Sequence, residues 1–433
     1  MNGCLFLIVR RSNEQPTTNN AIFARQKMQK PMQKVLIIAL LAAAACAPPR
    51  PELKTGLWRG VIDMQQRQLP FVFEVKNNGS QTTAEIRNAD ERLLLDEIYF
   101  EGDSVRMVLH IFDAELRARI AGDKLSGWFV KNYAPDSRLP FQATYNETFR
   151  FAQDGPANVD FSGRYQLTFS YDTVSYPAVG IFQQTGNRVT GTFLTPAGDY
   201  RYLEGNVTDQ TMHLSAFDGN HAFIFEAHLR GDSLAGDFFS GKSGREKFKG
   251  IKNDQAALPD AEQLTYLKPG YERIDFQFPD LNGNTVSLSD ERFRNKVVIL
   301  QLFGSWCPNC MDETRFLADW HRRNQHRGVE IMGLAYERKA DFTYAAERVR
   351  KMKERLNVGY DFVIAGTYNK QAAAETLPML NHVLAFPTTI FIGKDGKVKH
   401  IHTGFSGPGT GVYYEQFVER FNQIVNEALQ TGG

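Results

Sequence analysis

The sequence predicts a multidomain chain in which a duplicated antiparallel all-β region, barrel or sandwich, is followed by an α/β domain. Three observations carry this. Residues 55–250 alternate apolar and polar over short stretches punctuated by turn residues. Turn-centred matches recur within that region at an offset of 107 to 109 residues. From about 273 onward, buried-strand patterns alternate with amphipathic helical ones, and one junction carries Trp306-Cys307-Pro308-Asn309-Cys310. The 433 residues leave room for several domains. The expected parts are an over-extended start plus signal peptide at 1–45, a Pro-rich tether at 46–54, β units at 55–151 and 152–252, a linker with a short helix at 253–272, and the α/β domain at 273–433. Net charge is +1 without a long run of one sign, so no nucleic-acid partner is expected.

At the N-terminus, Lys30 and Lys34 precede an apolar run from Val35 to Ala45. That run is too short to span a bilayer as a helix and has the layout of a secretory signal. Residues 1–27 are polar and unpatterned and lie upstream of this complete signal, so Met28 or Met32 is the expected initiator. Cys46 follows small residues, an arrangement that resembles the bacterial lipobox, although Ala43 stands where leucine is commonest. The resemblance implies that Cys46 carries a lipid anchor; ordinary secretory cleavage near Ala45 is the alternative. Ala47 without nearby acidic residues points to a periplasm-facing position at the outer membrane. Ala47-Pro48-Pro49-Arg50-Pro51 is too stiff and polar to pack and reads as a tether.

In the β region, Phe71-Val72-Phe73-Glu74-Val75 and Phe223-Ile224-Phe225-Glu226-Ala227 are typical strands. Leu69-Pro70 matches Tyr176-Pro177, and Gly122-Asp123-Lys124-Leu125-Ser126-Gly127 matches Gly231-Asp232-Ser233-Leu234-Ala235-Gly236. No catalytic constellation stands out. His110, His213, His221 and His228 are scattered and read as strand positions.

The C-terminal region begins with Phe276 to Asn284, a strand running into an Asn-Gly turn. Lys296 to Phe303 is nearly continuously apolar, as a central strand is. Helices are expected over Met311 to His326, Asp341 to Leu356, Gln371 to Val383 and Tyr413 to Leu429, with strands at Val329 to Ala335 and Phe386 to Ile392. Lys394-Asp395-Gly396-Lys397 is a hairpin signal leading into Val398 to His402.

A strand, a Cys-x-x-Cys and a helix in that order describe a dithiol redox site. The chain has four cysteines, Cys4, Cys46, Cys307 and Cys310. With other fates for the first two, a single pair remains, which favours a cycling disulfide over a stabilising framework. The competing reading is half a zinc site, which needs four suitably spaced ligands. There is no second cysteine pair, and His321, His326 and His382 are not ligand-spaced, so no metal is expected.

The strand before Trp306-Cys307-Pro308-Asn309-Cys310, Glu313 beyond it, the Phe386-Pro387-Thr388-Thr389 segment and the Lys394 hairpin together resemble the TlpA/ResA-like thiol–disulfide oxidoreductases of the thioredoxin fold. The tail from His402 to Gly411 looks like a sub-branch seen in Bacteroidota. The resemblance implies a cofactor-free redox cycle at Cys307 and Cys310, and a cis-Pro387 facing the pair. It also implies protein disulfides as substrates and a membrane electron donor for re-reduction. Cys307 at the helix start is the nucleophile, favoured as a thiolate by the positive end of the helix dipole, and Cys310 resolves the mixed disulfide. The backbone of Phe386 is the expected partner of an extended substrate, and Trp306 either shields the site or simply packs. Gln301 replaces the buried aspartate of thioredoxins. Glu313 is then the proposed proton acceptor, or only a partner of the helix dipole. The two residues inside the motif, Pro308 and Asn309, tune the redox potential in this family. A thiol peroxidase is an alternative, since Phe278 to Gly283 resembles the start of peroxiredoxins; Gly304, however, stands where those proteins keep threonine or serine. A ligand- or partner-binding lipoprotein with an accessory redox domain is another.

Overall fold

The structure, a computed structural model, describes residues 52–152 and 155–430. Cys46 and the rest of the proposed signal and tether, apart from residues 52–54, lie outside them. The first β sheet contains β1 (Gly56–Met64), β2 (Arg67–Asn77), β3 (Thr82–Asn88), β4 (Glu91–Leu95), β5 (Ile98–Glu101), β6 (Ser104–Val108), β7 (Ala114–Ala121), β8 (Lys124–Lys131) and β9 (Leu139–Tyr145). Its order is β4-β3-β2-β1-β9-β8-β7-β6-β5. This is an up-and-down meander whose last strand returns to the first, with Trp58 opposite Tyr145, and it is interrupted between β4 and β5.

The second sheet contains β10 (Gly163–Tyr171), β11 (Val174–Thr185), β12 (Arg188–Thr195), β13 (Gly198–Asp199), β14 (Leu203–Thr208), β15 (Thr211–Phe217), β16 (Ala222–Arg230), β17 (Ser233–Ser240) and β18 (Gly244–Lys252). β18 pairs with β10 just as β9 pairs with β1. An additional β11–β12 pairing closes this sheet into a barrel. The repeated sequence signals fall at equivalent places. Leu69-Pro70 and Tyr176-Pro177 lie in the second strand of each sheet. Gly127 and Gly236 lie on β8 and β17, where a Cβ would fall 1.9 Å from the Arg117 carbonyl oxygen and 2.3 Å from that of Glu226. The repeat is thus held at glycine by close strand approach.

The two sheets share side chains. Phe217, at the end of β15, lies 4.6 Å from the Phe71 ring and 5.0 Å from that of Phe129, inside the first sheet. Arg150, in the connection between the sheets, is buried. It donates to the carbonyls of Pro70 (3.3 Å) and Ser215 (3.3 Å) and pairs with Glu204 at 3.3 Å.

A small β19 (Gln277–Pro279) and β20 (Thr285–Ser287) hairpin leads into a five-stranded sheet of order β23-β22-β21-β24-β25. Its strands are β21 (Val297–Phe303), β22 (Val329–Glu337), β23 (Asp361–Thr367), β24 (Thr388–Ile392) and β25 (Val398–Thr403). β21 to β23 are parallel, while β24 and β25 run antiparallel. The helices are α1 (Pro308–Asn324), α2 (Phe342–Arg355), α3 (Lys370–Thr376) and α4 (Val412–Gln430). α1 starts earlier than the sequence pattern suggests, because proline is well suited to the first helical position. α3 is shorter than the expected Gln371 to Val383. Pro378 biases Leu377 away from helical geometry, and Leu377 sits at φ −128°, ψ 68°. The stretch 253–272 contains turns, not the expected short helix. α2 docks on the first sheet: Arg355 pairs with Asp96 and Glu97, and the Tyr344 hydroxyl donates to Asp113 at 2.9 Å.

Phe217 is fully buried between the two sheets. Phe217→Ala is expected to lower stability by about 3–5 kcal/mol, read as a lower urea midpoint.

Candidate active site

β21 is buried along its whole length and ends at Phe303; the chain then turns through Gly304 and Ser305 into Trp306 and Cys307. A buried carboxylate anchors the turn, since Glu337 accepts from the Ser305 backbone (2.7 Å) and hydroxyl (2.9 Å). Cys307 is the extended residue capping α1, and its Sγ accepts the Cys310 N–H at 3.2 Å. The two cysteines form a disulfide with Cα atoms 5.2 Å apart. Cys310 is fully buried and Cys307 is 6% exposed. Unpaired N–H groups at this helix end favour negative charge on Cys307 when the pair is reduced.

The Phe386–Pro387 bond is cis, and the Phe386 carbonyl oxygen lies 3.5 Å from Cys307 Sγ. Trp306 stands beside it. Its ring meets Phe386 edge-on at 6.0 Å, its Nε1 donates to the Tyr336 carbonyl at 2.8 Å, and the Arg338 guanidinium covers its face at 4.2 Å. The structure therefore brings Trp306, Cys307, Phe386 and Pro387 together.

Glu313 lies on α1, just below the pair, and is fully buried. Its carboxylate accepts from Gln301 Nε2 at 2.7 Å and from the Thr389 hydroxyl at 2.7 Å. Gln301 is oriented in turn by Thr314, which donates to its Oε1 at 3.1 Å. Burial raises the Glu313 pKa to about 7, against the opposing pull of Thr389 and Gln301. A carboxyl with a pKa near neutrality is suited to take up and release a proton.

The β region supplies contacts that the sequence did not reveal. The connection from Thr195 to Leu203 is longer than its counterpart from Asn88 to Glu91, and it reaches the redox helix. Arg201 on this connection is buried; its Nη1 donates to the Pro308 carbonyl at 2.8 Å and lies 2.9 Å from Asp312, while Nη2 pairs with Glu91. Asn309 Nδ2 donates to the Asp199 carbonyl at 2.9 Å, and Asn220 Nδ2 to the Trp306 carbonyl at 2.9 Å. Burial pushes Asp312 up to about 6, with Arg201 and Arg315 opposing. Between these elements lies a cavity of about 220 Å³, lined by Cys307, Trp306, Phe386, Gly198, His221 and Phe223 among others. The one sequence signal for this was the longer second-repeat connection.

Because the folded protein holds Glu313 protonated up to about 7, against 4.5 for a free carboxyl, the folded state binds the extra proton between those values. Stability is therefore lost as pH rises through that window and stays lost above it. Relative to Glu313→Gln, the wild type should lose about 3 kcal/mol between pH 4 and pH 8, measured by denaturant unfolding at each pH.

A family model described as AhpC/TSA family matches residues 269–401. The chain is 33% identical over 142 residues to the thiol-disulfide oxidoreductase ResA of Geobacillus thermodenitrificans (strain NG80-2), a match covering 33% of this chain and 73% of that protein. It is 25% identical over 138 residues to the thiol-disulfide oxidoreductase ResA of Bacillus subtilis (strain 168), covering 32% and 69%. Among solved structures, a putative thiol:disulfide interchange protein DsbE from Chlorobium tepidum aligns with a TM-score of 0.29 and 22% identity, over 38% of this chain and 99% of that one. At 33% identity to a ResA protein covered over 73% of its length, the chain belongs, through its C-terminal α/β domain, to the ResA-like thiol–disulfide oxidoreductases of the thioredoxin-fold AhpC/TSA family.

Proposed function

We propose that this protein is a lipid-anchored, periplasm-facing reductase of disulfides in exported proteins. The observation that carries the reading is the Cys307–Cys310 disulfide at the start of α1, beside cis-Pro387 and above the buried Glu313. In this cycle the Cys307 thiolate attacks a substrate disulfide and forms a mixed disulfide. Glu313 takes the proton of Cys310, whose thiolate then attacks Cys307 and releases the reduced substrate. The backbone of Phe386 pairs with an extended substrate segment, Pro387 keeps that edge open, and Trp306 shields the pair on one side. Cys46 provides the lipid attachment, at the outer membrane. An oxidising compartment demands re-reduction of the pair, hence a membrane electron donor. Among the described residues no helix is long and apolar enough to cross a membrane.

The AhpC/TSA match keeps a thiol peroxidase as the second reading. Gly304 weighs against it: a Cβ there would lie 2.1 Å from Trp306 Nε1, leaving no room for the threonine or serine that holds peroxide.

Cys310→Ser is expected to accumulate mixed disulfides through Cys307 in cells, seen as thiol-sensitive high-mass species whose partners are exported proteins; their absence in an expressed variant sinks the enzyme reading. Equilibrated with glutathione buffers, the wild-type pair should behave as a reductant. A midpoint of about −120 mV, typical of a strong oxidant, reverses the assigned direction. Residues 273–433 alone should reduce the trapped partner more slowly than the whole chain, since the β region lines the cavity at Cys307; equal rates remove the β region from substrate handling.

A further inference from the structure

The β15–β16 turn brings a histidine to the redox cavity. Asp218 Oδ1 accepts the backbone N–H groups of Asn220 (3.0 Å) and His221 (2.6 Å), and its Oδ2 meets His221 Nδ1 at 3.0 Å. The His221 ring stacks on Phe223 at 4.6 Å. Asn220 ties the turn to the Trp306 carbonyl, directly before Cys307, and Tyr133 from the first sheet donates to Asn220 Oδ1 at 3.4 Å. His221 and Cys307 line the same cavity of about 220 Å³. Below drug-sized pockets, that volume holds little more than the sulfurs and flanking atoms of a substrate disulfide.

We propose that His221 is a further catalytic residue of the disulfide exchange, accepting the Cys307 thiol proton at Nε2 and returning it to the sulfur that leaves the substrate. The inference rests on the oxidoreductase reading given above. Asp218 holds the Nδ1 side, so Nε2 is the nitrogen left for chemistry. Among the described residues Nε2 has no partner. Burial pushes Asp218 up, but His221 and Arg201 more than offset this and hold it at about 2. The Asp218 carboxylate behind the ring fixes its orientation. Other charged groups around the turn are Arg201 and Asp199 from the connection between β12 and β14, Lys131 at the end of β8, and Arg338 over Trp306. Nucleophile, base and orienting carboxylate thereby come from two domains.

The step balances. The Cys307 thiol gives its proton to His221, and its sulfur forms a bond to one substrate sulfur as the substrate S–S bond breaks. The departing sulfur takes the proton from His221. Cys310, deprotonated by Glu313, then displaces the second substrate sulfur, which leaves with that proton. The cysteine pair loses two electrons and the substrate gains two.

His221→Asn separates the roles, because its amide can still donate to Asp218 while Nε2 is lost. In the reduced full-length chain, alkylation of Cys307 by iodoacetamide at pH 7 should slow about tenfold, the effect of a thiol pKa raised by one unit. Reduction of insulin should slow likewise. Wild-type alkylation and insulin rates in the variant overturn the proposal. A wild-type chain that alkylates normally at Cys307 yet never reduces insulin instead counts against the reductase reading. If His221→Asn does not fold, NMR titration of His221 in the wild type decides: its midpoint should rise when the pair is reduced and the thiolate appears, and an identical midpoint in both redox states overturns the role.

Discussion

A single buried cation holds the three parts of this molecule in register. The Arg201 guanidinium meets Glu91 of the first sheet, sits on a connection of the second, and touches Asp312 and the Pro308 carbonyl of the redox helix. Nη1 and Nη2 are matched while Nε is left without a partner among the described residues. Removing either carboxylate partner would leave a buried charge uncompensated, so this residue constrains where the start of α1 can lie relative to both sheets. The contacts that the β region makes with the redox site accompany that placement: the Asn309 bond to Asp199, the Asn220 bond to Trp306, and the narrow cavity over Cys307.

The redox half of the site was legible in the sequence because its determinants are local. A fully buried strand, two cysteines one helical turn apart and a proline before Thr388 are each set by a few neighbouring residues. The surroundings of Glu313 were half legible. Its position on the helix followed from spacing, but Thr389 comes from another strand, and only the fold puts its hydroxyl within 2.7 Å. The β-region contribution was not legible. His221 was read as a strand position, yet it lies in the turn just after β15, where an Asx arrangement around Asp218 sets its ring. Arg201 lies more than a hundred residues from Cys307, and no periodicity links the two. The shortened α3 reflects Pro378, which terminates a pattern whose apolar spacing alone suggested continuation.

The two β sheets share one meander, and their differences are informative. The second sheet pairs β14 with β15, whereas the first is interrupted between β4 and β5. Beside that interruption, Asp96 and Glu97 receive Arg355 of α2. In the second sheet, the longer connection after β12 carries Asp199 and Arg201 to the redox motif. Each copy has therefore departed from the common plan where it meets the α/β domain, and has kept its close-packed glycines where it does not.

Asn309 brings two demands onto one side chain. As one of the two residues between the cysteines, it sits inside the redox motif itself. As the donor to the Asp199 carbonyl, it is also a fastener between domains. The chain therefore cannot retune its redox chemistry at this position without loosening the joint, nor reshape the joint without disturbing the chemistry. Change is steered toward Pro308 or the surroundings of the cavity, and the motif is less interchangeable here than in a free-standing domain.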